Sequence, residues 1–372
     1  MSETTKVVLY GAGGYTGKLV AESLAQRGIP FYAAGRSAER LSKAMELVKE
    51  RLGNDFKHEI AEVSNDVESL LPLFKKAEIV INCVGPFMLL GQPVIEAASQ
   101  ANCHYLDTTG EQDFCLELKE KYAESYASRE LLLSPAMAWM CAAGALAAEV
   151  CMEKEGIDTL ELVYQPDNAL PSDGSTRTFL RMACADGGSY YLEDNQYKSW
   201  ANDKAYPVVL PNSSRVLSAH PWGGFIEPLW FKDDERVRNC SALMAFGEEH
   251  IAGVIATVQK FETEARHLSY DEQIAYINAI ADQMDVSEPA KDSVDTQRSV
   301  VACYGRGRQT DNQYALHLAA PYSWTGEICA EAAKRILDGR LKRSGFQSAA
   351  RAFGHRELLQ VWHEAGICSM PE

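Results

Sequence analysis

Four glycines, Gly11, Gly13, Gly14 and Gly17, fall within seven positions, directly after the apolar run Lys6-Val7-Val8-Leu9-Tyr10 and directly before a segment of helical periodicity. A short β-branched run reads as a buried strand of a parallel sheet. Leu19, Val20, Leu24 and Ala25 then recur at helical spacing up to a left-handed stop at Gly28. Strand, tight turn and helix in that order restrict the chain to an α/β fold assembled from βαβ units. In such a turn Gly11 permits the sharp bend, Gly13 and Gly14 clear the approach of another group, and Gly17 lets helix and strand pack closely. The approaching group is expected to be a pyrophosphate at the helix start, where Tyr15 and Thr16 lie. The spacing is G-x-x-G-x-x-G through Gly11, Gly14 and Gly17, not the plain G-x-G-x-x-G, and alone it also suits a tight connection in any α/β protein.

The second expected strand, Phe31-Tyr32-Ala33-Ala34, separates the readings, because it ends in Gly35-Arg36-Ser37-Ala38-Glu39-Arg40. A site for NAD places an acidic residue there to accept hydrogen bonds from the ribose 2′-OH. Arg36 and Ser37 occupy that place instead. A guanidinium clamps a 2′-phosphate and stacks on adenine, so the expected cofactor is NADP(H). Arg40 either adds a second positive charge or is a solvated surface residue.

The alternation of strand and helix continues. A third strand is expected near His58 to Val63, with Ser64 or Asn65 capping the next helix, and a fourth over Ala77 to Val84, ending in Gly85-Pro86-Phe87. Gln92-Pro93 opens another helix. His104 to Asp107 reads as a fifth strand, followed by Thr108-Thr109-Gly110-Glu111 and a helix to about Arg129; Leu131 to Ser134 reads as a sixth. In a doubly wound sheet ligands sit beyond the carboxyl ends of the strands, which places Asn82 to Phe87 and Asp107 to Glu111 at the site.

A formal net charge of -16 argues against general affinity for nucleic acid or an anionic membrane. The ten cysteines form no C-x-x-C pair and have no histidine at zinc-finger spacing, so reduced thiols of a cytoplasmic protein, without a metal, are expected. The N-terminus runs straight into the first strand, so no signal peptide is expected. Residues 131–148 carry no charge, yet Ser134-Pro135 breaks the run early and no positive flank orients a span; a buried strand, a loop and a core helix are expected there, not a membrane segment.

GAGGYTG, AAGRSAERL, INCVGPFMLLGQPVIEAA and HYLDTTGEQ, in that order at successive strand ends, resemble the saccharopine dehydrogenase-like oxidoreductases over about the first 130 residues. The resemblance implies an N-terminal NADP-binding Rossmann domain over 1–150, an inserted mixed α/β domain for substrate and dimer contacts over 151–320, and C-terminal helices over 321–372 returning to the first domain. It implies that Val84, Gly85, Pro86 and Phe87 line the nicotinamide end, and Cys83 and Thr108 beside them are further candidates for cofactor contact. It also implies hydride chemistry at C=N or, in the trans-acting enoyl reductase branch, at conjugated C=C. Where many relatives carry an acidic, hydroxyl-rich loop after the sixth strand, this chain has Pro135-Ala136-Met137-Ala138-Trp139-Met140-Cys141-Ala142-Ala143-Gly144, which suits a more apolar substrate or a lost interaction.

Tyr105, Asp107 and Glu111, with His104 beside them, are candidate proton donors at the fifth strand end, and a helix-capping role competes for the two carboxylates. None of the sixteen tyrosines is followed by lysine four positions on, which removes the catalytic pair of a short-chain dehydrogenase. In the second half, Ile157 to Tyr164 reads as a strand, Pro171 to Thr176 as a turn into a helix ending near Ala185, and His220 to Phe225 as a loop. Val300 to Leu318 reads as a hairpin turning at Gly305 to Arg308, Asp285 to Arg298 as a polar surface loop, and Glu327 to Leu337 as a helix. The expected function is an NADP(H)-dependent oxidoreductase acting on a small or lipid-like C=N, C=C or C=O compound, with a homodimer allowed. The alternative is a catalytically silent NADP(H) sensor or scaffold.

Overall fold

Val7–Tyr10 forms β1, every side chain of which is buried, because a parallel strand covered on both faces has no polar side to show. The computed structural model describes residues 5–167, 171–184, 189–284 and 288–371. They divide into two compact units, the first containing the chain up to Thr109 with Glu117–Trp139 and Tyr322–Gly354, the second Gly110–Leu116, Met140–Pro321 and the segment from His355. The C-terminal stretch 321–372 is therefore shared between units, and only Tyr322–Gly354 belongs with the first.

Following β1 are α1 (Tyr15–Gln26), β2 (Phe31–Gly35), α2 (Ala38–Leu52), β3 (His58–Glu62), α3 (Val67–Phe74), β4 (Ile79–Asn82), α4 (Phe87–Leu90), α5 (Gln92–Gln100), β5 (His104–Asp107), α6 (Gln112–Ser128), β6 (Leu132–Ser134) and α7 (Trp139–Cys151). Next come β7 (Thr159–Asp167), α8 (Asp173–Cys184), β8 (Tyr190–Glu193), β9 (Gln196–Ser199), β10 (Tyr206–Val209), β11 (Val216–His220), α9 (Glu227–Phe231), β12 (Asn239–Phe246), α10 (Glu248–Glu264) and α11 (Tyr270–Gln283). The chain closes with β13 (Arg298–Arg306), β14 (Asp311–Ala319), α12 (Pro321–Leu337), β15 (Gly345–Phe346), α13 (Ala349–Phe353) and α14 (His355–Glu364).

The first unit is a seven-stranded sheet in the order β15-β6-β5-β4-β1-β2-β3, all of it parallel. Val7 of β1 pairs with Phe31 on one side and Ile79 on the other, so the chain reverses its direction of growth at β1. That is the switch point of a doubly wound fold, and it lies under the glycine turn. β3 closes one edge with exposed His58, Glu59 and Glu62, charged groups that discourage further strand pairing. α1 ends as expected at Gly28 (φ 67°), where the Gly28 and Ile29 amides donate to Ala25 O and Leu24 O. The cap of α3 is Asp66, one position beyond the expected Ser64 or Asn65, because its carboxylate accepts from Ser69 N at 2.8 Å. Asn65 instead bridges Tyr10 and Leu90. α12 lies against α1: a Cβ on Gly326 would sit 2.5 Å from Leu19 O, and Glu327 accepts from Arg27 (2.6 Å) and Ser23 (2.8 Å).

The second unit is an eight-stranded mixed sheet whose main path is β10-β11-β12-β7-β13-β14. β12 and β7 are parallel, whereas β7, β13 and β14 run antiparallel, with the expected hairpin between the last two. Leu180 and Cys184 of α8 pack with Val258 and Phe261 of α10 and Ile277 and Ala281 of α11. α8 ends at Cys184, and Ala185, like Asp285 at the start of the expected polar loop, lies outside the described residues. The uncharged segment 131–148 resolves into β6, a loop and α7, and among the described residues no helix is long and apolar enough to cross a membrane.

Candidate dinucleotide site

The glycines of the turn are of two kinds. Gly11 has φ 90°, and a Cβ there would meet Val84 Cγ2 at 2.7 Å; a Cβ on Gly17 would meet Gly11 O at 2.1 Å. Both positions are closed by the protein itself. A Cβ on Gly13 would find no protein atom nearer than 3.8 Å, and one on Gly14 only Gly11 O at 3.4 Å. A side chain there would instead fill the cradle in front of α1. Gly14 is the N-cap, without a side-chain cap, and the amides of Tyr15, Thr16 and Gly17 precede the first intrahelical bond, Lys18 N to Gly14 O (3.0 Å). A glycine-lined cradle at a helix N-terminus suits an anion, and the residues present fit a dinucleotide pyrophosphate.

After β2, Arg36 and Arg40 are both exposed, and neither side chain makes a hydrogen bond or ion pair among the described residues. Ser37 is half-buried and caps α2, its hydroxyl accepting from Arg40 N at 3.3 Å. Burial raises the pKa of the Tyr10 phenol, and the nearby Arg36 charge partly offsets this.

On the other side of β1, the buried Asn82 organises the loop after β4. Its Oδ1 accepts from Val84 N at 3.0 Å and its Nδ2 donates to Tyr105 Oη at 3.1 Å. Val84, Gly85 and Pro86 stay partly accessible, and Phe87 turns inward beneath Gly85. Burial pushes the Cys83 thiol up to about 12 against an opposing hydrogen bond from Thr108, which keeps the sulfur protonated near neutral pH. The sequence reading placed Asn82 among the residues at the strand ends without giving it a role; the carboxamide ending the run Ile-Val-Ile was the signal for this one.

Among the expected proton donors Tyr105, Asp107 and Glu111 are buried and His104 is half-buried, and all four are engaged. Tyr105 accepts from Asn82, and burial holds its pKa well above the ordinary phenol value. Asp107 accepts from Thr109 N (3.0 Å) and Ala136 N (2.9 Å). Glu111, in the second unit, binds Arg181 at 2.6 Å and Thr178 at 3.1 Å. His104 Nδ1 accepts from Leu132 N at 2.9 Å, and burial lowers its pKa.

A Rossmann sheet with this cradle, continued by a separate mixed-sheet unit, is the architecture of a saccharopine dehydrogenase-like protein. Residues 7–131 match the saccharopine dehydrogenase NADP-binding domain, as the strand-end motifs imply. Residues 142–372 match the family of unknown function DUF5938, and the chain belongs to that family. Over the first part the chain is 31% identical to the lipid droplet localized protein of Caenorhabditis elegans, covering 36% of this chain and 33% of that one. It is 33% identical to the saccharopine dehydrogenase-like oxidoreductase of Mus musculus, over 33% and 32% of the two chains. With the trans-acting enoyl reductase of Mycobacterium bovis it shares 35% identity over 34% and 31%. The chain thus spans about a third of the length of the curated relatives it matches. Apo saccharopine dehydrogenase (L-Glu forming) from Saccharomyces cerevisiae superposes with TM-score 0.60 over 98% of both chains at 11% identity, a likeness of fold.

Proposed function

We propose that the chain is an NADP(H)-dependent oxidoreductase moving hydride to or from a C=N, C=C or C=O group of a small or lipid-like substrate. The observation that carries this reading is the room in front of Gly13 and Gly14, where the protein itself does not require glycine. Gly11, Gly13, Gly14, Tyr15, Thr16 and Gly17 would hold the pyrophosphate, Arg36, Ser37 and Arg40 the 2′-phosphate side, and Cys83 to Phe87 with Thr108 the nicotinamide end. The bound coenzyme supplies the hydride; the chain orients it and excludes water. Tyr105 and Asp107 fix the loops after β4, β5 and β6 through Asn82, Thr109 and Ala136, and this reading gives them a positioning role. The name of the worm relative supports the lipid-like end of the substrate range and that of the mycobacterial relative a C=C group, while the shared region is chiefly the coenzyme domain.

A second reading, an NADP(H) sensor or scaffold without turnover, is favoured by the engagement of Tyr105, Asp107 and Glu111 in internal contacts. Calorimetry separates coenzyme from chemistry. Wild-type protein is expected to bind NADPH well over NADH, and Arg36→Ala to abolish that preference with a loss of roughly tenfold or more for NADPH alone. Unchanged selectivity in Arg36→Ala would remove the assignment of NADP(H). NADPH consumption across a panel of imines, enones and aldehydes then favours the enzyme, and tight binding without turnover favours the sensor.

A further inference from the structure

The N-terminal half of α12 touches the segments that follow β1 and β6 at the carboxyl ends of the strands in the first unit. At one end Tyr322 packs edge-on against Tyr15, the first residue of α1, with ring centroids 5.2 Å apart and planes at 82°. Further along, Thr325 Oγ1 accepts from Trp139 N at 3.0 Å, and the Cys329 thiol, beyond the first turn, donates to Met137 O at 3.1 Å; Met137 lies in the loop after β6 and Trp139 opens α7. Strand order gives this span its meaning. Arg36 follows β2 on one side of β1, whereas β4, β5 and β6 lie on the other. A dinucleotide laid over the switch point with its 2′-phosphate at Arg36 extends its nicotinamide half toward β4 to β6. The stretch of α12 that joins Tyr15 to Met137 and Trp139 therefore flanks that half.

Tyr322 is also held firmly. Beyond it, α12 is pressed onto α1 at Gly326 and tied by Glu327 to Ser23 and Arg27, and Trp324 is fully buried. Tyr322 itself is half-exposed while its partner Tyr15 is buried. A rigidly mounted aromatic ring that stays partly accessible makes a wall for a flat, weakly polar ligand ring at small entropic cost.

We propose that Tyr322 is a positioning residue for the coenzyme, its ring walling the nicotinamide-ribose half beside Tyr15. This rests on the NADP(H) reading given above. The ring, not the hydroxyl, performs the function.

The test uses the full chain and calorimetry with two ligands, NADPH and 2′-phospho-ADP, which carries the adenosine side without the nicotinamide. Tyr322→Leu is expected to weaken NADPH by about tenfold, the size of a lost aromatic contact, and to leave 2′-phospho-ADP unchanged; Tyr322→Phe is expected to bind both as wild type does. Equal losses for the two ligands would mean that the substitution only disturbs the glycine turn through Tyr15, and unchanged NADPH affinity would mean that the ring touches nothing; either overturns the proposal. Tyr322→Trp keeps an aromatic ring should the leucine variant fail to fold. Its added indole emission must be quenched by energy transfer to bound NADPH, and the absence of that extra quenching also overturns it. Wild-type protein that binds neither ligand would instead bring down the coenzyme assignment itself.

Discussion

At the residue scale, Gly13 and Gly17 give opposite tests of what the turn is for. Alanine at Gly17 drives its Cβ to 2.1 Å from Gly11 O and 2.8 Å from Ala12 Cα, all of it main chain that cannot swing aside. Overpacking of this kind costs roughly 1–3 kcal/mol, and Gly17→Ala is expected to show it as a lowered denaturation midpoint with or without coenzyme. Gly13→Ala meets nothing nearer than 3.8 Å, so its unfolding curve should overlay that of wild type while its NADPH affinity drops by at least about tenfold. A Gly13→Ala variant that binds coenzyme normally would show that no ligand uses this space. The glycine spacing already separated Gly11 and Gly17, read as turn and packing positions, from Gly13 and Gly14, read as clearing an approach, and the positions of Val84 and Gly11 O divide the four in the same way: the protein closes the first pair and leaves the second open.

At the scale of elements, the start of α6 is fastened to α8 by a buried cluster in the second unit. Arg181 donates to Glu111 at 2.6 Å and to Asp113 at 2.9 Å, with the Arg181 and Glu111 side chains 3% and 0% exposed. Replacing Arg181 by methionine leaves Glu111 buried without its cation, a change that costs about 3–5 kcal/mol. Chemical denaturation of Arg181→Met should show a loss of that order, and Arg181→Lys a smaller one. A methionine variant as stable as wild type would show that the carboxylate finds water or another donor. This pairing was not legible in the sequence, because its partners lie 70 and 68 positions apart and no local periodicity joins them. Elements whose cause is local were legible: β1, β2 and β4 are apolar runs ended by a glycine or asparagine, and β13 and β14 form the expected hairpin, although Gly305 and Arg306 pair within it and the turn itself is residues 307–310. The two-residue β15 is too short to carry a period, and it exists because Gly345 and Phe346 find a free edge at β6. Likewise α12 begins at Pro321, earlier than its regular pattern from Glu327, since contacts to α1 and to Trp139 hold its aromatic first turn.

At the scale of the whole molecule, two carboxyl groups shape opposite wings of the stability profile against pH. Glu227 is fully buried; burial, opposed by a hydrogen bond from Tyr164, lifts its pKa to about 7, and among the described residues its Oε2 finds no hydrogen-bond partner. The groups around it, Tyr164, Cys141, Cys240 and Cys303, have pKa values raised chiefly by their own burial, so they stay neutral there. An unfolded glutamate loses its proton near about 4.3, so the folded chain holds that proton more tightly. Its contribution is complete below about 4.3, shrinks as pH rises, and is lost on passing about 7, a total of roughly 3 kcal/mol. Glu153 behaves in reverse. Arg356, helped by His355, lowers its pKa to about 2, so its contribution exists above the ordinary carboxyl range and disappears as pH falls through about 2; being more than a third exposed, it contributes far less. Denaturation of wild type and Glu227→Gln from pH 5 to pH 8 should therefore give curves that diverge steadily, the wild type losing stability relative to the variant and levelling off just above pH 7. Glu153→Gln should follow wild type across that range and depart from it only in acid. Parallel wild-type and Glu227→Gln curves would mean that the buried carboxyl titrates as it does in water, and the neutral acid beneath α7 would then have to be given up.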